Sequence, residues 1–143
     1  MEVVERSDGL IVINDAYNAS PESVRAALKS LKQIAKGRRC WAVLGEMREL
    51  GDLSVAEHDA IGRLVVRLDV QRLVVVGEAA RPIHQGAALE GSWGQESMFV
   101  PDAESAISLL REQVRADDVI LVKASRAAGL DSIATALLAE VTT

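Results

Sequence analysis

Four short runs of unbroken apolar residues punctuate the chain, at 10–13, 41–44, 73–76 and 119–122, with a weaker run at 98–100. None alternates apolar with polar positions, so each reads as a strand covered on both faces, as in a parallel sheet. Segments of helical period lie between them. The first places Ser20 as N-cap and Pro21 at the first helical position. Its apolar stripe runs through Val24, Ala27, Leu28, Leu31, Ile34 and Ala35 and stops before Gly37. The second opens on Ser54-Val55-Ala56-Glu57, which fits a capping box, and continues through Ile61, Leu64, Val65 and Leu68. A third covers about 79–89, a fourth runs from Asp102 to Val114, and a last one spans about 129–140.

Strand and helix thus alternate along the chain. That order predicts an α/β fold of the Rossmann-like kind: an open, mostly parallel, doubly wound sheet with helices on both faces. The opening residues add a hairpin, with Ser7-Asp8-Gly9 as its turn. A chain that begins inside a hairpin is expected to be a fragment of something longer. Its 143 residues are the size of one domain, 1–143, with enough length for a real core.

Composition narrows the function. The only aromatics are Tyr17, Trp41, Trp93 and Phe99, too few for a stacking platform for single-stranded nucleic acid. The net charge of −5 lacks the basic face that nucleic acid requires, so no nucleic-acid partner is expected. A single cysteine, Cys40, excludes an internal disulfide framework and a cysteine-rich zinc site. No apolar run reaches the roughly 20 residues of a membrane span, and residues 1–10 carry no signal-peptide core. The expectation is a cytoplasmic protein without a membrane partner.

In such sheets ligands bind at the carboxyl ends of the strands. The first exit, Asn14-Asp15-Ala16-Tyr17-Asn18-Ala19-Ser20-Pro21, gathers an acid, two amides and the only tyrosine ahead of a helix. The second is Gly45-Glu46-Met47-Arg48-Glu49-Leu50-Gly51-Asp52, and the last is Lys123-Ala124-Ser125-Arg126. Each has a plain alternative. Asp15 and Asn18 can hold a turn through their own backbone; Glu46 and Glu49 can be a solvated loop face; Lys123 and Arg126 can be surface cations. His58 can pack or cap, His84 reads as a surface helix residue, and both tryptophans read as packing. No phosphate loop, dinucleotide fingerprint, nucleophile elbow, H-E-x-x-H or CxxC is present. The residues alone describe a polar ligand edge without a self-sufficient catalytic set or a metal site.

The strings NDAYNASPESVRAAL, AVLGEMRELG and ILVKASRAAGL together resemble the C-terminal domain of the Mur ligases, and within them the branch that adds D-alanyl-D-alanine. The likeness covers essentially residues 2–140. It implies the C-terminal, substrate-closing domain of a three-domain ATP-dependent ligase of peptidoglycan precursor synthesis, inactive alone. The whole enzyme would phosphorylate the carboxylate of UDP-MurNAc-tripeptide and let the amine of D-Ala-D-Ala attack the acyl phosphate. ATP and Mg2+ would be held mainly by a central ATPase domain, with no catalytic residue in this fragment.

Position by position, the resemblance makes Asp15, Tyr17 and Asn18 nucleotide-binding, and Lys123, Ser125 and Arg126 the D-Ala-D-Ala-binding set. A lysine, a hydroxyl and an arginine suit a carboxylate. Two positions depart from the family pattern. Ala124 stands where glycine is usual, which matters if that position has positive φ or a close approach; Ala128-Gly129 offers an alternative for the approach. Ser20 stands where asparagine is commoner and caps equally well. Two alternatives remain open: a stand-alone Rossmann-like nucleotide- or protein-binding module, and a related three-domain amide ligase of the folylpolyglutamate kind. The second is disfavoured by asparagine in place of histidine within the first motif.

Overall fold

The computed structural model describes residues 1–91 and 97–139. Trp93 and the end of the last predicted helix at Glu140 lie outside the described residues. Six strands form one sheet: β1 (Glu2–Glu5), β2 (Ile11–Asp15), β3 (Cys40–Leu44), β4 (Arg72–Val76), β5 (Ser97–Val100) and β6 (Val119–Lys123). Their spatial order is β1-β2-β6-β3-β4-β5. The β1–β2 hairpin is antiparallel and every other pair is parallel. Five helices connect them: α1 (Pro21–Ala35), α2 (Ser54–Arg67), α3 (Arg81–Glu90), α4 (Ala103–Gln113) and α5 (Asp131–Ala139).

Alternate residues of each strand enter two separate cores. Ile13, Ala42, Leu44, Leu73, Val75 and Leu121 pack with α1, α2 and α3. Val12, Trp41, Val43, Val74, Ile120 and Val122 pack with α4 and α5. Both faces are therefore covered, which is why the strands read as continuous apolar runs. The chain advances β3-β4-β5 on one face and then returns across the sheet to β6. A crossover of constant hand puts the return helix on the opposite face. None of the described helices is long and apolar enough to cross a membrane.

The helix ends show where local signals held and where they were overridden. Ser20 makes a true capping box with Ser23: its Oγ accepts from the Ser23 N–H at 3.1 Å, and Ser23 Oγ accepts from the Ser20 N–H at 2.9 Å. The box expected at Ser54 does not form. A 3-10 turn over Gly51–Leu53 runs directly into α2, so Ser54 is already helical and no side chain caps the end. The Ser54 hydroxyl lies instead 3.3 Å from His58 Nδ1.

Helices α2 and α3 touch backbone to backbone. A Cβ on Gly62 would lie 1.9 Å from the Ile83 carbonyl oxygen, and one on Gly86 would lie 2.3 Å from that of Asp59. Both glycines are therefore there to permit helix contact. His84, given by the sequence as a surface residue, is half-buried and within 2.6 Å of Ser97 Oγ, joining α3 to β5.

At the amino edge, Asp118 is buried and its Oδ2 accepts from three residues: Arg39, nearest at 2.7 Å, the Arg115 N–H at 2.9 Å and the Trp41 indole N–H at 3.0 Å. Burial alone would raise its pKa; these donors outweigh burial and hold the carboxyl below its ordinary value. In the hairpin turn, the Arg6 guanidinium lowers the Asp8 carboxyl to about 2.

Two predictions follow from this packing. Gly62→Ala, which in an open helix would gain about 1 kcal/mol, is expected to cost at least about 2 kcal/mol here through overpacking. Urea unfolding midpoints would show the reversal, and an unchanged midpoint would mean that the helices separate freely. Asp8 and Asp118 release their protons more readily folded than unfolded. They thus stabilise the fold above the ordinary carboxylate range of about 4, and that contribution is lost as pH falls through the folded values, near 2 for Asp8. Urea titrations between pH 5 and pH 2 should show a shallower decline in Asp8→Asn than in the parent chain.

Candidate functional site

The exits of β2, β6 and β3 lie side by side because β6 sits between the other two. Strands β2 and β3 lead to helices on one face and β6 leads to α5 on the other. Adjacent exits that part to opposite faces leave a crevice at the carboxyl edge. A cleft of about 420 Å3 occupies it, lined by Asn18, Ala19, Arg48, Glu49, Ser125, Arg126 and Ala127. All three polar loops read from the sequence contribute to it.

The parallel register sets Asp15 opposite Lys123. Lys123 is only 3% exposed, and its Nζ donates to Asp15 Oδ2 at 2.7 Å and to the Asn18 carbonyl at 2.9 Å. Its ammonium thus lies beneath the first loop, not in the cleft. The two residue sets given separately by the sequence are joined by this ion pair. Asp15 keeps about one-fifth of its side chain exposed (21%), while Tyr17 is half exposed (51%).

Ser125 and Arg126 present a different face. The Ser125 hydroxyl is buried to 7% exposure and has no partner among the described residues. Its N–H, by contrast, donates to the Glu46 carbonyl at 2.9 Å. A buried hydroxyl without a partner is costly, and Ser125 is one of the residues that line the cleft. Arg126, Arg48 and Glu49 are exposed, and their side chains carry no ion pair among the described residues. No local signal in the sequence distinguishes Arg48, and Glu49 has a plain solvated alternative. Only their place beside Ser125 marks them as cleft residues. Glu46 faces away, into a second cavity of about 310 Å3 that it shares with Gly77, Glu78, Asp102 and Leu130.

The substitution at Ala124 is accommodated. Ala124 is fully buried and is not among the positive-φ residues. The glycine that makes room lies across the sheet: a Cβ on Gly45 would lie 2.8 Å from Ala124 Cβ and 2.9 Å from Leu130 Cδ1. Gly129 has φ 70° and open space where a Cβ would stand. No group of three or more His, Cys, Asp or Glu residues among the described residues converges as a metal site.

The family profile for the Mur ligase, glutamate ligase domain, matches residues 1–126. The UDP-N-acetylmuramoyl-tripeptide--D-alanyl-D-alanine ligase of Mycobacterium leprae is 51% identical over 98% of this chain and 30% of its own length. The same-named protein of Mycobacterium tuberculosis is 52% identical over 99% of the chain and 31% of its own. Among solved structures, a MurF ligase from Thermotoga maritima in complex with ADP superposes with a TM-score of 0.78, at 27% identity, over 94% of this chain and 29% of that one. A MurF from Acinetobacter baumannii gives a TM-score of 0.82, at 26% identity, over 97% of this chain and 30% of that one. The chain therefore spans about 30% of the length of the curated relatives it matches.

The buried pair yields a stability prediction. Lys123→Met should cost about 3 kcal/mol, the low end for a broken buried pair because Asp15 remains partly solvated. Faster amide hydrogen exchange across residues 15–20 should accompany the loss in urea stability. Unchanged exchange there would show that the loop does not depend on the ammonium.

Proposed function

The chain belongs to the Mur ligase family, and we propose that it is the C-terminal, substrate-closing domain of the ligase that joins D-alanyl-D-alanine to UDP-N-acetylmuramoyl-tripeptide. It would act in the cytoplasm, in peptidoglycan precursor synthesis, against the central ATPase domain of the same three-domain protein. The observation that carries this reading is the cleft with the buried, unpartnered Ser125 hydroxyl beside Arg126.

A dipeptide is a zwitterion, and the cleft offers both complements. Arg126 and Arg48 supply guanidinium donors for its carboxylate, with Ser125 Oγ as a fixed donor at the cleft wall. Glu49 supplies a carboxylate for its ammonium. Held at both ends, the dipeptide would present its amine with its orientation already restricted, and orientation is a large share of the barrier to a two-substrate reaction. Once the ammonium has lost a proton to solvent, the free amine would attack the activated tripeptide carboxyl to give a tetrahedral intermediate; the C–O bond to phosphate would then break with its electron pair leaving on phosphate, and the second amine proton would pass to solvent.

ATP supplies the phosphoryl group that activates that carboxyl, and its Mg2+ is assigned to the central domain. On this chain, Asp15 retains a partly solvated carboxylate able to accept from a ribose hydroxyl, and Tyr17 offers an exposed ring to the base. Asn18 stands between the two ligands: its carbonyl is held by Lys123 while the residue lines the cleft. Lys123 would therefore serve both substrates by holding the first loop, without touching either.

The test uses the full-length ligase. Arg126→Ala should raise KM for D-Ala-D-Ala about tenfold or more, the equivalent of about 1.4 kcal/mol, with KM for ATP nearly unchanged. Asp15→Ala should reverse that order, and Lys123→Ala should raise both. Equal changes in both constants for Arg126→Ala and Asp15→Ala would defeat the assignment of the two loops.

A further inference from the structure

We infer that His58, a residue outside the cleft, is a positioning residue for it: the buried imidazole latches the β3–α2 loop so that Arg48 and Glu49 form the wall opposite Ser125 and Arg126. Its consequence for the reaction rests on the reading of the cleft given above; the latch itself rests on geometry alone.

His58 lies in the first turns of α2 and is 1% exposed. The Met47 N–H donates to its Nε2 at 2.9 Å. A backbone N–H can only donate, so Nε2 carries no proton. Nδ1 lies 2.7 Å from the Ser54 carbonyl oxygen, which can only accept, so Nδ1 carries the proton. The two contacts agree on one species, the neutral Nδ1–H tautomer. Ser54 Oγ, at 3.3 Å from Nδ1, lies close to the same proton.

The loop needs such a latch. Its start is tied to β6, where the Gly45 N–H donates to the Lys123 carbonyl and the Ser125 N–H donates to the Glu46 carbonyl. Its end is tied by the 3-10 turn, where the Leu53 N–H donates to the Leu50 carbonyl at 3.0 Å. Between these anchors Glu49 takes φ 63°, a left-handed conformation uncommon for a residue with a side chain. Such a conformation persists only where the surroundings determine it. Arg48 and Glu49 contribute nothing to that, because neither side chain has a partner among the described residues. The Met47 N–H to His58 bond and the buried Met47 side chain are the contacts that hold the loop immediately before them.

Two substitutions separate the latch from bulk packing. His58→Leu keeps an apolar volume in the core and removes the acceptor; His58→Gln restores an acceptor and a donor on one side chain. In the full-length ligase, His58→Leu is expected to raise KM for D-Ala-D-Ala about tenfold or more, the effect of leaving a buried N–H unpaired, with KM for ATP within about twofold. His58→Gln is expected to recover most of the loss. Independently of turnover, imidazole nitrogen NMR shifts of the parent protein should report Nδ1 protonated and Nε2 free, and amide exchange at Met47 should accelerate in His58→Leu.

An Nε2-protonated ring, or unchanged Met47 exchange, would overturn the latch. Equal rises in both KM values, or no rise, would overturn its role in the cleft. If His58→Leu fails to fold, the tautomer and the kinetics of His58→Gln decide in its place: the Nδ1–H tautomer with a near-parent KM supports the latch, and the other tautomer removes it. Should Arg126→Ala leave KM for the dipeptide unaltered, the reading of the cleft fails while the tautomer and exchange results still stand or fall by themselves.

Discussion

Strand β6 is hydrogen-bonded to β2 on one side and to β3 on the other, although it follows both in the chain by more than seventy residues. That placement is the constraint from which the carboxyl edge is built. It brings the polar exit of β6 between two other polar exits, and it sends neighbouring connections to opposite faces of the sheet. The crevice between them cannot be filled by the helices that leave it. With β6 at an edge, the same residues would be three separate surface loops.

The register of the β2–β6 pair then determines which groups are used internally. Asp15 and Lys123 stand opposite each other at the last rung, on the face shared with α1. A charge that deep is costly unless it is paired, and Asp15 with the Asn18 carbonyl supplies the partners. One residue further on, Ala124 turns to the opposite face and packs against Gly45, after which Ser125 and Arg126 reach the cleft. Because the strand ends at Lys123, a buried, paired lysine and the cleft-lining Ser125 and Arg126 lie only two and three residues apart.

Small residues recur where rigid pieces must meet. Gly62 and Gly86 let α2 and α3 approach to backbone contact, and Gly45 admits Ala124 and Leu130 beneath the β3 exit. These contacts set the position of α2, and α2 carries His58, whose ring holds the neighbouring loop. At the other end of the sheet, Asp118 joins Arg39, Trp41 and Arg115, so the amino edge is closed by polar bonds as the carboxyl edge is left open.

Much of this was legible from the residues in order. Uninterrupted apolar runs marked β2, β3, β4 and β6, because burial on both faces removes any polar alternation. Ser20 and Pro21 marked the start of α1, because capping is local chemistry. The three polar exits marked the edge at which the cleft lies, because in such sheets crevices open at the carboxyl ends of the strands. Position in the sheet, not local pattern, determined the rest. Ser54 lost its expected cap because a 3-10 turn made it helical. Lys123 reads like a surface cation and is buried, because its burial depends on β6 being central. Glu49 reads as a solvated loop residue and Arg48 carries no local signal, yet both line the cleft, because β6 delivers Ser125 opposite them. The sequence by itself determined the elements and the chemical groups at their ends, since these depend on neighbours along the chain. Only the tertiary structure decided which groups pair and which stay free, since that depends on strand order, and strand order joins residues more than one hundred positions apart.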